Sequence, residues 1–163
     1  AGFQYMMKGG FGVASLREAG VEVAAAAVVN AVGDVVNADG TVLAGARDPE
    51  GGWMAERNPL RFIDETRLPL PGTNTTLVVV ATDAILTRNE LARLTHQAHN
   101  GLAIAVRPSH TRHDGDVAFA LTTRRVAAPV TLVGNMAVAA VSEAIRNAVR
   151  FAASIPGVPG LAG

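Results

Sequence analysis

The chain has 163 residues, with 14 basic and 14 acidic side chains and no formal net charge; that is enough for one domain with a real core, and nothing in the charge calls for a polyanion partner. Hydrophobic residues make up 49% and there is no cysteine, so the sequence reads as a packed chain rather than a disordered one, without disulfides, thiolate catalysis or a cysteine-based zinc site. The longest unbroken apolar run, Val23 to Val29, is far shorter than the roughly 20 residues that span a bilayer, no signal peptide is visible and basic residues are not interleaved with aromatics; the expectation is a soluble cytoplasmic protein with no membrane and no nucleic-acid partner.

In chain order, Lys8-Gly9-Gly10-Phe11-Gly12 comes first. Its glycines allow sharp turns and close backbone approach. Taken alone it reads as a flexible loop with a solvated Lys8, and the phosphate-cradling order of a P-loop is absent. Val21 to Val29 reads as a buried strand that ends in Asn30. A side-chain amide there either forms a turn or donates to a developing oxyanion, an effect of about 3 kcal/mol. Val35–Val36 and residues 41–44 flank the turn Asn37-Ala38-Asp39-Gly40 as a short hairpin. Residues 45–74 are rich in Gly, Pro, Arg, Asp and Glu, with Trp53, Phe62 and Ile63 to pin part of the stretch. A loop this long is functional or mobile, and a surface loop is where a chain is cut.

Next comes Gly72-Thr73-Asn74-Thr75-Thr76, directly ahead of the run Leu77 to Ala81. The run has no helical period and predicts a fully buried strand. A hydroxyl at the mouth of a rigid strand suits a nucleophile; the plainer reading is a polar strand start. Thr87-Arg88-Asn89-Glu90 predicts a capping box, with Leu91, Leu94, Ala98 and Leu102 continuing as an amphipathic helix over about 88–101. His96 and His99 lie three apart on it without a carboxylate to complete a metal set, and read as surface or packing histidines.

Arg107-Pro108-Ser109-His110-Thr111-Arg112-His113-Asp114-Gly115-Asp116 then runs into a strand over residues 117–122. Asp114 and Asp116 sit two apart at its mouth, a spacing that turns both side chains the same way on a strand. Carboxylates that close raise each other's pKa unless cations or donors intervene; the plainer reading is a polar Asp-Gly turn. His110 and His113 beside them hint at a metal, but the spacing matches no standard site, and neither metal nor cofactor is expected. After an apolar link over 126–132, residues 134–152 have helical spacing with Arg146 and Arg150 outward, and the tail 154–160 is expected to fray.

The order of these pieces resembles the β-aminopeptidase family, also described as L-aminopeptidase/D-amidase/esterase, to which the nylon-oligomer endo-hydrolases belong. Lys8-Gly9-Gly10, Asn30 after a buried strand, Asn74-Thr75-Thr76 before one, the capped helix, Arg107-Pro108 with His110-Thr111, and Asp114-Gly115-Asp116 with Phe119 match the family in sequence, from Met7 to about Ala152. The resemblance implies an α/β fold, the four-layer α/β/β/α sandwich similar to N-terminal-nucleophile hydrolases, here lacking the upstream part of the large subunit, since the family's precursors begin well before Lys8. It implies a single domain over 1–163 in which self-cleavage at Asn74–Thr75 leaves 1–74 as the end of a large subunit and 75–163 as a small one. Thr75 is then the catalytic nucleophile, Asn30 an oxyanion donor, Asp114 and Asp116 the groups that orient the Thr75 amine and hydroxyl, and Lys8 the charge that balances them.

The expected activity is amide hydrolysis through an acyl-enzyme on Thr75. The Asn-Thr junction and the Asp-Gly-Asp pair look more like the nylon-oligomer hydrolases than the Ser-type β-aminopeptidases. The implied substrates are therefore 6-aminohexanoate oligomers, similar linear amides or short peptides. The implied assembly is a homo-oligomer of cleaved heterodimers. Two alternatives stand beside this reading: acyl transfer resembling the ornithine acetyltransferases, and a non-catalytic α/β assembly domain.

Overall fold

The computed structural model describes residues 3–57 and 74–163. After a single 3-10 turn at Phe3–Tyr5, β1 (Phe11–Glu18) and β2 (Val21–Asn30) form a hairpin. Ala19 and Gly20 join them, both at positive φ (49° and 80°), the pattern whose twist matches that of the paired strands. Three short strands follow this hairpin in a second sheet: β3 (Asp34–Val36), β4 (Val42–Ala44) and, much later in the chain, β6 (Val106–Arg107), in the order β4-β3-β6. A one-turn helix α1 (Met54–Arg57) lies between the bridge partners of the loop, Arg47 and Trp53, and the end of the first described stretch.

The main sheet is completed by β5 (Thr75–Ala84) and β7 (Val117–Val126), in the order β1-β2-β5-β7. β5 is antiparallel to β2 and parallel to β7; the parallel step needs a crossover, which α2 (Arg88–Ala105) supplies. The capping box expected at its start is present, with Thr87 and Glu90 bonding each other's backbone N–H. The last helix, α3 (Val130–Arg150), packs beside α2 on the same face of the sheet. Gly12 allows the close approach: a Cβ there would sit 2.2 Å from both Ala144 O and Ala148 N of α3.

The core lies between that sheet face and the two helices. Val21, Val23, Val78 and Val80 meet Leu102, Val133, Val141 and Ile145, all fully buried. Each such side chain contributes about 1.5–3 kcal/mol of burial. The fully buried strand expected at Leu77 to Ala81 is instead buried on one side only. Burial alternates along β5 and β2, because both helices cover one face and, among the described residues, nothing covers the other. The bare face is apolar: Phe11, Val13, Val28, Leu77, Val79, Phe119 and Leu121 are all more than a third exposed on it. The register lines them up across the sheet, Phe11 beside Val28 beside Leu77, and Val79 beside Phe119. The main sheet thus carries a helix layer on one face and, among the described residues, an open apolar face on the other, of the kind that a further layer covers.

Three local expectations are corrected. The glycine-rich stretch from Phe11 onward is strand β1, not loop. Arg146 points inward: it is 6% exposed, and its Nε donates to Val36 O at 2.9 Å. A guanidinium on the buried side of α3 satisfies a carbonyl of the second sheet, which a helical-wheel reading cannot foresee. The tail is tied down, with Lys8 N–H donating to Pro159 O at 2.8 Å and Ala162 N–H to Ala152 O at 3.1 Å. The expected anchors Phe62 and Ile63, and Gly72-Thr73 ahead of the nucleophile, lie outside the described residues.

Candidate active site

β2 ends where β5 begins. Asn30 and Thr75 are direct register partners in this antiparallel pair, so their side chains stand side by side on the bare face of the sheet. β7 enters from the other flank. Just before it, Asp114 forms a parallel bridge with Asn74, and the loop that carries Asp114-Gly115-Asp116 thereby closes over the start of β5.

The Asn74 carbonyl oxygen is held from two sides. Gly115 N–H donates to it at 2.8 Å, and the Thr75 hydroxyl donates to it at 2.7 Å. A side chain at Gly115 would not fit: its Cβ would lie 2.9 Å from Thr75 Oγ1 and 3.7 Å from Asn74 O. A backbone donor aimed at a carbonyl oxygen, beside a hydroxyl within reach of the same carbonyl group, is the arrangement that stabilises charge on that oxygen when the carbon is attacked.

Each aspartate has its own set of donors. Asp114 accepts from Val32 N–H at 3.2 Å, Thr111 N–H at 3.0 Å and the Thr111 hydroxyl at 2.6 Å. Asp116 accepts from Thr76 N–H at 2.8 Å through Oδ1, and from His110 N–H at 3.2 Å through Oδ2. The His110 imidazole adds a contact of 3.0 Å from Nδ1 to the same Oδ2. Asp114 therefore ties the loop to the turn after β2, and Asp116 ties it to the first residues of β5.

Lys8 lies on the outer flank of Asn30. Gly10 O accepts Val29 N–H at 2.9 Å, which sets residues 8–10 alongside the end of β2. The Lys8 ammonium donates to Gly9 O at 2.8 Å, while the two carboxylates take their bonds from the turn after β2, from the loop and from β5. Five of the expected residues, Asn30, Asn74, Thr75, Asp114 and Asp116, thus meet at one end of the sheet, with Lys8 beside them.

His110 and His113 part ways. His110 turns to Asp116, whereas His113 is buried with its Nδ1 lacking a hydrogen-bond partner. No group of three or more His, Asp or Glu among the described residues is placed to hold a metal ion. His99 of α2 packs against His110, ring centroids 4.9 Å apart and tilted by 58°. Burial holds its pKa below the ordinary value, helped by the nearby His110 and His96 and opposed by Asp116. Sequence reasoning placed Gly115, Thr111 and Thr76 in its motifs without a role, and gave His110 only a hint of metal binding. For the loop residues the signal was the tight spacing 110–116, which keeps the Thr111 and His110 donors within reach of the two aspartates.

The family model for peptidase family S58 matches residues 2–162. The chain belongs to that family. A Mycobacterium leprae protein described as an uncharacterized aminopeptidase is 37% identical over 181 residues, covering 94% of this chain and 48% of the relative. The 6-aminohexanoate-oligomer endohydrolase of Paenarthrobacter ureafaciens is 32% identical over 127 residues, covering 75% of this chain and 35% of that enzyme. Among solved structures, the L-aminopeptidase D-Ala-esterase/amidase of Ochrobactrum anthropi, reported as a new variant among the Ntn hydrolase fold, superposes with a TM-score of 0.61 at 22% identity, covering 94% of this chain and 44% of that one. A Burkholderia sp. beta-aminopeptidase gives 0.59 at 26% identity, covering 96% and 47%. The S58 chain is therefore a mixed α/β chain with the fold of these hydrolases, and it spans about half the length of the first curated relatives it matches.

Proposed function

We propose that this S58 chain carries the nucleophile of a self-processing N-terminal-threonine amidohydrolase. The observation that carries the reading is the grip on the Asn74 carbonyl by Gly115 N–H and the Thr75 hydroxyl, in a chain of a peptidase family. In the uncut chain the Thr75 oxygen attacks the Asn74 carbonyl carbon. The oxyanion forms on Asn74 O, where Gly115 N–H already points. The peptide C–N bond breaks, the nitrogen takes up the proton lost by the hydroxyl, and an ester joins Asn74 to Thr75 Oγ1. Water hydrolyses that ester, leaving the Asn74 carboxylate on residues 1–74 and a free Thr75 amine on residues 75–163.

An unperturbed α-amine has a pKa of about 7.7–8.0, so a good share is neutral near pH 7 and serves as base for its own hydroxyl. Thr75 then attacks an amide carbonyl of the substrate, and water resolves the acyl-enzyme. Asn30, its cross-strand neighbour, donates to the substrate oxyanion. Asp114 and Asp116 hold the loop and the start of β5 in place, and Lys8 supplies positive charge on the Asn30 flank. No cofactor enters this chemistry.

The substrates are linear amides, 6-aminohexanoate oligomers or the N-terminal residues of short peptides. The names of the Paenarthrobacter and Mycobacterium relatives support that class. In a full-length protein of the relatives' size, further chain covers the bare apolar face beside Thr75.

The test is hydrolysis of a 6-aminohexanoate dimer and of an aminoacyl-p-nitroanilide by the full-length gene product. Thr75→Ala abolishes turnover and Thr75→Ser retains it. Turnover by the Thr75→Ala variant contradicts the reading.

A further inference from the structure

His110 belongs to no role described above. Its backbone sits at φ 54°, in the left-handed region that few side chains adopt. That conformation brings both its N–H and its Nδ1 to a single oxygen, Asp116 Oδ2, at 3.2 and 3.0 Å. The Asp116 side chain is 3% exposed while that of His110 is 40% exposed, so the imidazole covers the carboxylate on its solvent side. The other carboxylate oxygen accepts Thr76 N–H at 2.8 Å, one residue past the proposed nucleophile. Behind the imidazole stands His99 of α2. A line of contacts thus runs from α2 through His99, His110 and Asp116 to the first peptide of β5.

We propose that His110 is a positioning residue for the self-cleavage, one that locks Asp116 in the rotamer whose free oxygen holds the Thr76 amide and so fixes where the Thr75 hydroxyl sits. A carboxylate in so little solvent keeps one orientation only if donors fill both oxygens. Thr76 fills one, and the His110 side chain supplies the donor on the other that does not depend on the backbone. This inference rests on the reading of Thr75 as nucleophile. The His110 imidazole meets the Asp116 carboxylate on one side and the His99 ring on another.

The test compares two replacements that both tolerate a left-handed backbone. His110→Asn keeps an N–H donor near the place of Nδ1; His110→Gly removes it without straining the chain. In the full-length gene product, self-cleavage followed by intact mass slows about a hundredfold in His110→Gly, the cost of a misplaced reacting group, and stays within a fewfold of the parent in His110→Asn. Independently of cleavage, the Thr76 amide resonance of threonine-labelled Thr75→Ala protein moves in the His110→Gly background and is restored in His110→Asn. Parent-like cleavage or an unmoved Thr76 resonance in His110→Gly overturns the inference, as does His110→Asn behaving like His110→Gly. Splitting of the Thr75→Ala chain itself overturns the reading of Thr75 instead, and the Thr76 resonance still decides the role of His110.

Discussion

Replacing Gly115 with alanine probes the hold on the Asn74 carbonyl without removing any polar group. The added Cβ meets Thr75 Oγ1 at 2.9 Å, where ordinary contact begins at 3.4 Å. Either the hydroxyl or the loop must give way by roughly half an ångström. Thr75 Oγ1 and Gly115 N–H both reach the Asn74 oxygen at close to 2.7–2.8 Å, so movement of either spoils the attack geometry. A misplacement of about 1 Å costs on the order of a hundredfold in rate, and complete loss of an oxyanion donor costs about a hundred- to a thousandfold. Self-cleavage in Gly115→Ala is therefore expected to slow between about tenfold and a hundredfold. The backbone at Gly115 lies outside the left-handed region, so alanine adopts it without backbone strain and only the crowding against Thr75 Oγ1 lowers the thermal midpoint. The assay is a time course of intact mass after rapid purification, with thermal unfolding as control. Cleavage at the parent rate with unchanged stability refutes the role of this carbonyl.

Asp114→Ala strips the acceptor from Val32 N–H, Thr111 N–H and the Thr111 hydroxyl at once; unfolding by urea should show a loss of about 1–3 kcal/mol, and an unchanged midpoint contradicts the clamp. His99 has a folded pKa below its ordinary 6.5, so the unfolded chain binds more protons just below that value. Its share of stability is complete above pH 6.5 and is lost as the pH falls through the window beneath it. His99→Gln should flatten the urea midpoint across that window, while the later acid loss from Asp39 and Glu90, whose carboxyls lie below their ordinary values, remains. A His99→Gln profile identical to the parent contradicts the assignment.

Much of the architecture was legible from local pattern. The capped helix, the Asp-Gly hairpin and the apolar runs of β2 and β5 announce themselves through side-chain chemistry that acts within a few residues. What escaped is what depends on distant neighbours. Leu77 and Val79 look buried because they are apolar, but their exposure is decided by which sheet face α2 and α3 cover. Arg146 looks outward until the Val36 carbonyl is set against it. At the site, the resemblance gathered Asn30, Asn74, Thr75, Asp114 and Asp116, and the register of β2 with β5 brings them to one end of the sheet. The donor roles of Gly115 N–H, Thr111 and His110 were not legible, because backbone N–H groups leave no mark in a sequence and because His110 reaches Asp116 from a left-handed backbone.

The most direct measurement is the intact mass of the full-length gene product, with the N-terminal residue of each piece identified by sequencing. Two polypeptides, one of them beginning at Thr75, are what the gripped Asn74 carbonyl leads to. One unbroken polypeptide after prolonged incubation, or a cut at any other bond, contradicts it.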